Sequence, residues 1–288
     1  LLYQQAKADT RIGSVRAFVT NVTKAREALG CQKCDPSEGI YVGDVRNPLA
    51  LNAAANGVDA VLVAVGASPS DTPAVAKAIE VDGVENTARA IYASKGAAGQ
   101  VVLCSSMGTT LPSPDPRQGG SILFLKLNAE ASLLAADVNS VVVKPCGLSL
   151  SPAGQSDLLV GQDDALLNLT VPVVARADVA RVMIEATVRR EAQLRFDLCA
   201  RRGAPTTDLG ALLGAKAKAV MEGRSYATAE DIRAIVHPVL RHRIITTFKA
   251  ESDGITSDVV VDKLLDDIAE RHDDDKIAPA LTGAFNAA

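Results

Sequence analysis

Two apolar runs constrain the fold of this chain more than any other feature. They are residues 58–66 (VDAVLVAVG) and residues 100–108 (QVVLCSSMG), and a helical pattern lies between them. A continuous apolar run flanked by turn residues is typical of a strand buried on both faces, and so of a parallel sheet covered by helices. Ligands of such sheets bind beyond the carboxyl ends of the strands. The runs therefore predict a nucleotide-binding α/β protein with its crevice at residues 64–67 and 105–108.

Composition narrows the function classes. The chain has 288 residues, enough for one large domain or for a domain with an appendage. Its net charge of -4 disfavours nucleic acid as a partner, because phosphate binding needs a basic surface. No apolar stretch approaches the roughly 20 residues of a membrane span, and the first residues lack the pattern of a signal peptide. We expect a soluble protein that is not secreted.

The cysteine pattern bears on the compartment and on metal binding. There are five cysteines, of which Cys31 and Cys34 form a CQKC motif. Such a pair can be redox-active or can supply half of a zinc site, but no second pair lies at ligand spacing. We therefore expect no metal, and a reduced compartment such as the cytoplasm or the plastid stroma. Cys104 and Cys199 fall in predicted strands and are expected to be small core residues.

The order of predicted elements divides the chain into parts. Strands alternate with helices as far as about residue 200, as in a doubly wound parallel sheet. One of those helices, residues 72–95, should bury a stripe of Val84, Ala88 and Ile91. From Asp208 onward only helices are predicted, with Thr228 and Thr256 as amino-terminal caps. The expected parts are a Rossmann-like domain at 1–207, a helical lid-like domain at 208–271 and a flexible tail at 272–288.

Several motifs follow one another in the order of a known family. IYVGDVRNP, VDAVLVAVGA, VVLCSSMGTT, LKLNAE and VVVKPCGL occur in turn along residues 1–215. This region resembles the atypical short-chain dehydrogenase/reductase family, in particular the small NAD(P)-binding proteins of plants and algae. Farther on, EGRSYATAEDI and PVLRHRI make residues 212–268 similar to the helical lid of MoxR-type AAA+ ATPases. No GxxxxGK[ST] phosphate loop is present, so the lid does not imply an ATPase.

The family places a first strand and a glycine-rich turn before the position of Leu1. That turn supplies backbone N–H groups to the pyrophosphate of the dinucleotide. We therefore expect a Rossmann-like sheet that is incomplete at its amino terminus and lacks its first, middle strand, unless another segment fills the slot. Weak binding of NADP or NAD is expected from such a sheet.

The resemblance also assigns roles to residues. The Tyr-x-x-x-Lys of the wider superfamily is replaced by Phe124 and Asn128, so Ser106 and Lys126 are the candidate catalytic residues. Lys24 and Arg26 could favour NADP over NAD. The candidate cofactor-binding residues are Asp44, Val45, Ala64, Val65, Gly66, Ser105, Lys144, Pro145 and Gly147.

Each assignment has a structural alternative. Asp44 either accepts a hydrogen bond from adenine or is a turn residue, Gly66 either admits the cofactor or ends a strand, and residues 144–147 either line the nicotinamide pocket or form a rigid loop. Two functions follow. The first is an NAD(P)-binding protein with weak oxidoreductase activity. The second is a non-catalytic scaffold or nucleotide-sensing regulator whose helical tail binds a partner protein.

Overall fold

The computed structural model describes residues 1–110, 120–221, 232–233, 236–237, 240, 244–247, 250 and 254–272. The chain divides into two compact units, residues 1–227 and residues 228–288. The first unit contains all the described strands and eight of the described α-helices. The predicted caps and tail at Thr228 and 273–288 lie outside the described residues.

The first unit is built on two separate sheets. In the smaller one, β1 (Ala17–Val19) and β2 (Ile40–Val42) pair in parallel. The larger one has seven strands and includes four parallel neighbours in spatial order. These are β3 (Ala60–Val63), β4 (Gln100–Cys104), β5 (Asn139–Pro145) and, last in the chain, β9 (Leu194–Arg201).

Three further strands extend the larger sheet beyond β9. They are β6 (Gly147–Ser149), β7 (Asp157–Gly161) and β8 (Val173–Ala175). β7 pairs antiparallel with β9, and β8 joins β9 to β6. The sequence did not predict β6 or β7, so the sheet is mostly rather than wholly parallel.

Helices cover both faces of this sheet, as a doubly wound fold requires. Those of the first unit are α1 (Leu2–Ala8), α2 (Val22–Leu29), α3 (Pro48–Ala55), α4 (Pro73–Lys77), α5 (Gly83–Lys95), α6 (Gly120–Leu134), α7 (Arg176–Val188) and α8 (Leu209–Met221). A π-helical segment, Ala78–Asp82, connects α4 to α5. In the second unit, α9 (Ser257–His272) begins after Thr256, whose hydroxyl accepts from the Val259 amide at 3.4 Å.

The central strands are buried on both faces, which explains their continuous apolar runs. Val101 and Val142 face a cluster that includes α5 and α6, where the predicted stripe of Val84, Ala88 and Ile91 is buried. The opposite face, with Val102, packs on a cluster from α7 and α8. The carboxyl ends of β3, β4 and β5 are thereby fixed side by side.

The two sheets do not hydrogen-bond to each other within the described residues. β1 and β3 would flank the missing middle strand of a doubly wound sheet, and neither pairs with the other. The prediction of a parallel sheet that lacks its middle member is confirmed. Instead, side chains from α3, including Leu51 and Ala55, pack with Phe18 and Val58 and bridge the two sheets.

Two local expectations are wrong. Cys199 is not a simple core residue, because it forms a disulfide with Cys146, the residue next to the end of β5. Asp178 does not cap α7. It lies in the first turn, where its buried carboxylate accepts from the Gly154 amide and from Arg181, both at 2.8 Å. It therefore ties α7 to the loop after β6.

Among the described helices, none is both long and apolar enough to cross a lipid bilayer.

Candidate functional site

A small cavity opens at the carboxyl ends of β3 and β4, where a ligand of a parallel sheet is expected. Three residues predicted from sequence, Val65, Ser105 and Lys126, lie together in its lining. The sequence reasoning missed two polar neighbours there, Glu80 and the free thiol of Cys104, whose pKa is raised by burial. The full lining is Val65, Glu80, Val84, Leu103, Cys104, Ser105, Lys126 and Ala129.

Glu80 organises one side of this cavity. It lies in the π-helical segment and its side chain is buried. One carboxylate oxygen is 2.9 Å from the Lys126 ammonium nitrogen, and the other accepts from the Ala67 amide at 2.9 Å. The ammonium group of Lys126 is therefore held beside the turn that follows β3. π-Helical turns are rare and often occur at functional sites, which agrees with this placement.

A second buried carboxylate, Glu130, organises the other side. The Ser105 hydroxyl donates to one of its oxygens, and the Arg195 guanidinium donates to the other at 2.8 Å. Arg195 also donates to the hydroxyls of Thr109 and Thr110 at 3.3 Å. Because its proton is engaged by Glu130, the Ser105 hydroxyl offers an incoming group an acceptor rather than a donor.

Ser106, the predicted catalytic serine, has a different environment. It is partly exposed, whereas Ser105 is buried. Its hydroxyl donates at 2.9 Å to the carbonyl of the next residue, Met107. A local bond of this kind can be exchanged for one to a ligand at little cost, because both partners lie near solvent.

Lys144 is completely buried in a cluster behind the crevice. Its ammonium nitrogen is 2.6 Å from an Asp164 oxygen, 2.8 Å from the Thr110 hydroxyl and 3.3 Å from an Asp197 oxygen. The Thr110 amide donates to the second Asp164 oxygen at 2.7 Å. Lys144 thus fastens the turn after β4 to the loop after β7, a role that the sequence did not predict.

The two carboxylates of this cluster differ in protonation. Burial opposes the ionisation of Asp164, but hydrogen bonds from Lys144 and from the amides of Gly108 and Thr110 outweigh it, and the pKa of Asp164 is lowered. Burial raises the pKa of Asp197, and attraction to Lys144 only partly offsets the effect. Neither Asp197 oxygen makes a well-formed hydrogen bond among the described residues. Lys144 therefore neutralises Asp164 better than Asp197.

We expect Asp197→Asn to raise the free energy of unfolding at neutral pH. A carboxyl with a raised pKa binds its proton more tightly in the folded than in the unfolded chain, so its ionisation costs stability as the pH rises above about 4. The gain should shrink as the pH falls and vanish below about pH 4. Urea unfolding across this range checks it. Asp157→Asn, which removes a pairing with exposed Arg201, is the control. A gain independent of pH would contradict the electrostatic origin.

The remaining predicted residues lie in two places. Asp44 and Val45 follow β2 in the small sheet. The Arg46 guanidinium, 2.6 Å away, lowers the pKa of Asp44, which also accepts from the Arg46 amide as in a turn. Val45 is buried, and its carbonyl accepts from the Asn86 side chain at 3.1 Å.

The others line the ends of β3 and β5. Ala64 and Gly66 are exposed beyond β3, so the backbone there is open to a ligand. Beyond β5, Pro145 is buried, while Gly147 is exposed and donates from its amide to Pro172 at 2.9 Å. A Cβ atom at Gly147 would approach that carbonyl to 2.9 Å, which explains the glycine.

The comparison with family models decides the family. A model described as NAD(P)H-binding matches residues 1–189, well over half of the chain. The chain belongs to this NAD(P)H-binding family. A second model, the AAA lid domain, matches residues 192–264. The reductase-like resemblance and the lid resemblance predicted from sequence are both confirmed.

Relatives agree with this division of the NAD(P)H-binding protein. An uncharacterized chloroplastic protein of Arabidopsis thaliana is 29% identical over 63% of this chain and 62% of its own length. The sanguinarine reductase of Eschscholzia californica is 27% identical over 65% of this chain and 82% of its own. The chaperone MoxR1 of Mycobacterium tuberculosis is 32% identical over 23% of this chain and 17% of its own. The chain thus spans less than two thirds of the first relative.

Solved structures share the fold. A candidate NAD-dependent epimerase/dehydratase from Bacillus halodurans superposes with a TM-score of 0.56 and 20% identity, covering 71% of this chain and 90% of that one. A short-chain dehydrogenase/reductase from Veillonella parvula in complex with NADP has a TM-score of 0.50 and 13% identity, covering 71% and 90%. These neighbours confirm the predicted Rossmann-like α/β fold.

One signal could have revealed Glu130 in advance. It is the last residue of LKLNAE, a motif that supported the family resemblance, although only Lys126 of that motif was chosen. Glu80, Asp164 and Arg195 carried no comparable signal, because their partners are distant in sequence.

Proposed function

We propose that this protein binds NADP or NAD in the crevice at the carboxyl ends of β3, β4 and β5 and acts as an oxidoreductase. The observation that carries the proposal is the cavity that gathers Val65, Ser105 and Lys126 at the strand ends of a chain from an NAD(P)H-binding family. The cofactor would supply a hydride from its nicotinamide ring. The protein would supply binding and orientation.

The residues present fit a dinucleotide. Exposed Ala64, Gly66 and Gly147 leave the backbone at the strand ends accessible to a flat ligand. Asp44 is the proposed acceptor for adenine, with its carboxylate kept ionised by Arg46. Val45 can take part only through its backbone, because its side chain is buried.

For catalysis we propose that Ser106 donates a hydrogen bond to a substrate carbonyl and that Lys126 supplies a nearby positive charge. The Ser106 hydroxyl can leave the Met107 carbonyl for a ligand, while Lys126 keeps its charge through Glu80. No tyrosine stands at position 124, where Phe124 is found. Without that proton donor, weak turnover is expected.

Titration with NADPH tests the binding proposal directly. Saturable binding that is tighter than binding of ATP is expected, by calorimetry or by nicotinamide fluorescence. Absence of saturable NADPH binding to the chain joined to its native upstream sequence would reject the proposal. Measuring NADH in parallel decides whether Lys24 and Arg26 favour a 2′-phosphate.

Gly66→Val is expected to weaken NADPH binding about tenfold or more, which corresponds to 1.4 kcal/mol. A side chain at Gly66 would stand at the mouth of the crevice, yet its Cβ meets only an oxygen of Glu80 at 3.5 Å, so folding should be unaffected. Gly13→Val is the matched control, because a Cβ there meets nothing within 4 Å. Equal affinity of both variants for NADPH would place the cofactor elsewhere.

The AAA lid match favours a second proposal, that residues 208–271 contact a partner protein and that the site senses nucleotide for it. In that case variants in α9, such as Leu264→Asp at an exposed leucine, should reduce partner capture and leave NADPH binding intact. Loss of NADPH binding in the same variant would contradict separate roles.

We also propose the plastid stroma as the compartment, on the ground that the Arabidopsis relative is named as chloroplastic. A fluorescent fusion of the native gene product should co-localise with chlorophyll, and a cytoplasmic signal would reject the proposal.

A further inference from the structure

The CQKC motif lies at the edge of the small sheet opposite to the crevice. α2 starts just after the carboxyl end of β1 and runs back, so the loop after its last residue, Leu29, lies near the amino ends of the strands. The Gly39 carbonyl there accepts from the Ala17 amide at 2.9 Å, where β1 begins. In this loop Cys31 and Cys34 form a disulfide. Chemistry at this pair is therefore separate from the dinucleotide site.

The loop conformation does not depend on the disulfide alone. The carboxylate of Glu38 accepts hydrogen bonds from the amides of Gln32 at 3.2 Å, Lys33 at 3.0 Å and Cys34 at 2.7 Å. Arg26 also donates to the Gln32 carbonyl at 3.3 Å. Because these contacts persist when the sulfurs are reduced, the two thiols stay close together. Such preorganisation favours rapid closure of the disulfide.

The two sulfurs differ in access. Cys31 is partly exposed, whereas Cys34 is 3% exposed. An incoming thiolate can reach only the Cys31 sulfur, and the Cys34 sulfur is then the leaving group. This asymmetry is what a thiol–disulfide exchange site needs, because one cysteine forms the mixed disulfide and the other resolves it.

A metal is the competing ligand for these side chains. The sulfurs of Cys31 and Cys34 and a Glu38 oxygen lie within 4.8 Å of one another. Structural zinc takes four ligands, however, and the described residues supply three at this place. Glu38 is, moreover, already bound to three backbone amides. The cluster is better suited to redox exchange than to zinc.

We propose that Cys31 and Cys34 form a thiol–disulfide exchange site whose substrate is a protein dithiol. A thiolate of the dithiol attacks the Cys31 sulfur, and the Cys31–Cys34 bond breaks to release the Cys34 thiolate. The second thiol of the partner then attacks the mixed disulfide and releases Cys31. The partner becomes a disulfide, and two electrons and two protons pass to the pair.

The other disulfide of the chain is an internal control. Cys146 and Cys199 are both buried, at 6% and 0% exposure, between β5 and β9. An external thiolate cannot reach either sulfur without opening the sheet. The two disulfides should therefore differ strongly in their rate of reduction in the same molecule.

The first experiment treats the oxidised full chain with stoichiometric reduced thioredoxin, followed by acid quenching, alkylation and peptide mass spectrometry. We expect Cys31 and Cys34 to be alkylated at least about tenfold faster than Cys146 and Cys199. Equal rates, or slower reaction of the CQKC pair, would overturn the proposal. NADPH affinity should be the same before and after reduction of this pair, so the result is independent of the cofactor proposal.

The second experiment distinguishes attack from resolution with two variants. In the reduced Cys34→Ser protein, oxidised glutathione should leave a stable adduct on Cys31. The reduced native protein should release glutathione as its own disulfide closes, and the Cys31→Ser protein should react slowly at the buried Cys34. Persistent glutathione on native Cys31 would overturn the proposal, as would stoichiometric Zn²⁺ binding that protects the reduced pair from alkylation.

Discussion

Lys144→Ala is expected to lower the free energy of unfolding by about 3–5 kcal/mol. The substitution leaves the carboxylates of Asp164 and Asp197 buried without their cation, at a place where neither water nor another described cation compensates them. It also frees the Thr110 hydroxyl, so the turn after β4 loses its anchor. Urea unfolding followed by circular dichroism gives the free energy directly.

Two further variants separate charge from packing in this cluster. Lys144→Met keeps most of the side-chain volume, so a loss similar to that of Lys144→Ala assigns the effect to charge. Lys95→Ala breaks a pair with Asp59 that is 33% and 70% exposed, and it should cost at most about 1 kcal/mol. A Lys144→Met protein as stable as the native one would show that the cluster does not need its cation.

Glu130→Ala is expected to destabilise the fold by about 3 kcal/mol, since Glu130 is buried between two donors. Its removal leaves the Ser105 hydroxyl and the Arg195 guanidinium without their shared acceptor. Arg195 is partly exposed and can turn towards solvent, so the cost should fall below that of Lys144→Ala. Thermal and urea unfolding measure the difference.

The same substitution also tests the site. Glu130→Gln keeps an acceptor for Ser105 but loses the charge opposite Arg195, so it should retain NADPH binding better than Glu130→Ala. Glu85→Ala, whose partner Arg89 is 74% exposed, is the control and should cost about 1 kcal/mol or less. If Glu130→Ala binds NADPH as the native protein does, Ser105 has no part in the site.

The fold was predictable where the sequence carries an unbroken local signal. The runs around β3 and β4 are apolar because helices cover both faces, and the stripe of α5 has the period of the helix itself. β7 escaped prediction because its partner, β9, is about 40 residues away and the antiparallel pairing follows from the path of the chain between them. A strand of five residues has too short a pattern to be recognised alone.

The site was predictable in position but not in its internal contacts. Strand ends placed Val65 and Ser105 correctly at the cavity because parallel strands share one edge. By contrast, Lys144 meets Asp164 across 20 residues, and Glu130 meets Arg195 across 65. Such pairs are set by tertiary packing and leave no periodic trace. Whether Asp44, Ser106 and the other assigned residues touch a cofactor stays a prediction.

The interruption between β1 and β3 has a consequence for how the molecule opens. Amides of β4 and β5 are enclosed by strands on both sides, whereas β1 and β2 share only three register pairs and are attached to the rest through side-chain packing. The small sheet thus forms a separate cooperative unit of low local stability, which can detach in sub-global fluctuations while the larger sheet stays intact. Hydrogen–deuterium exchange would report it as early labelling of residues 17–19 and 40–42.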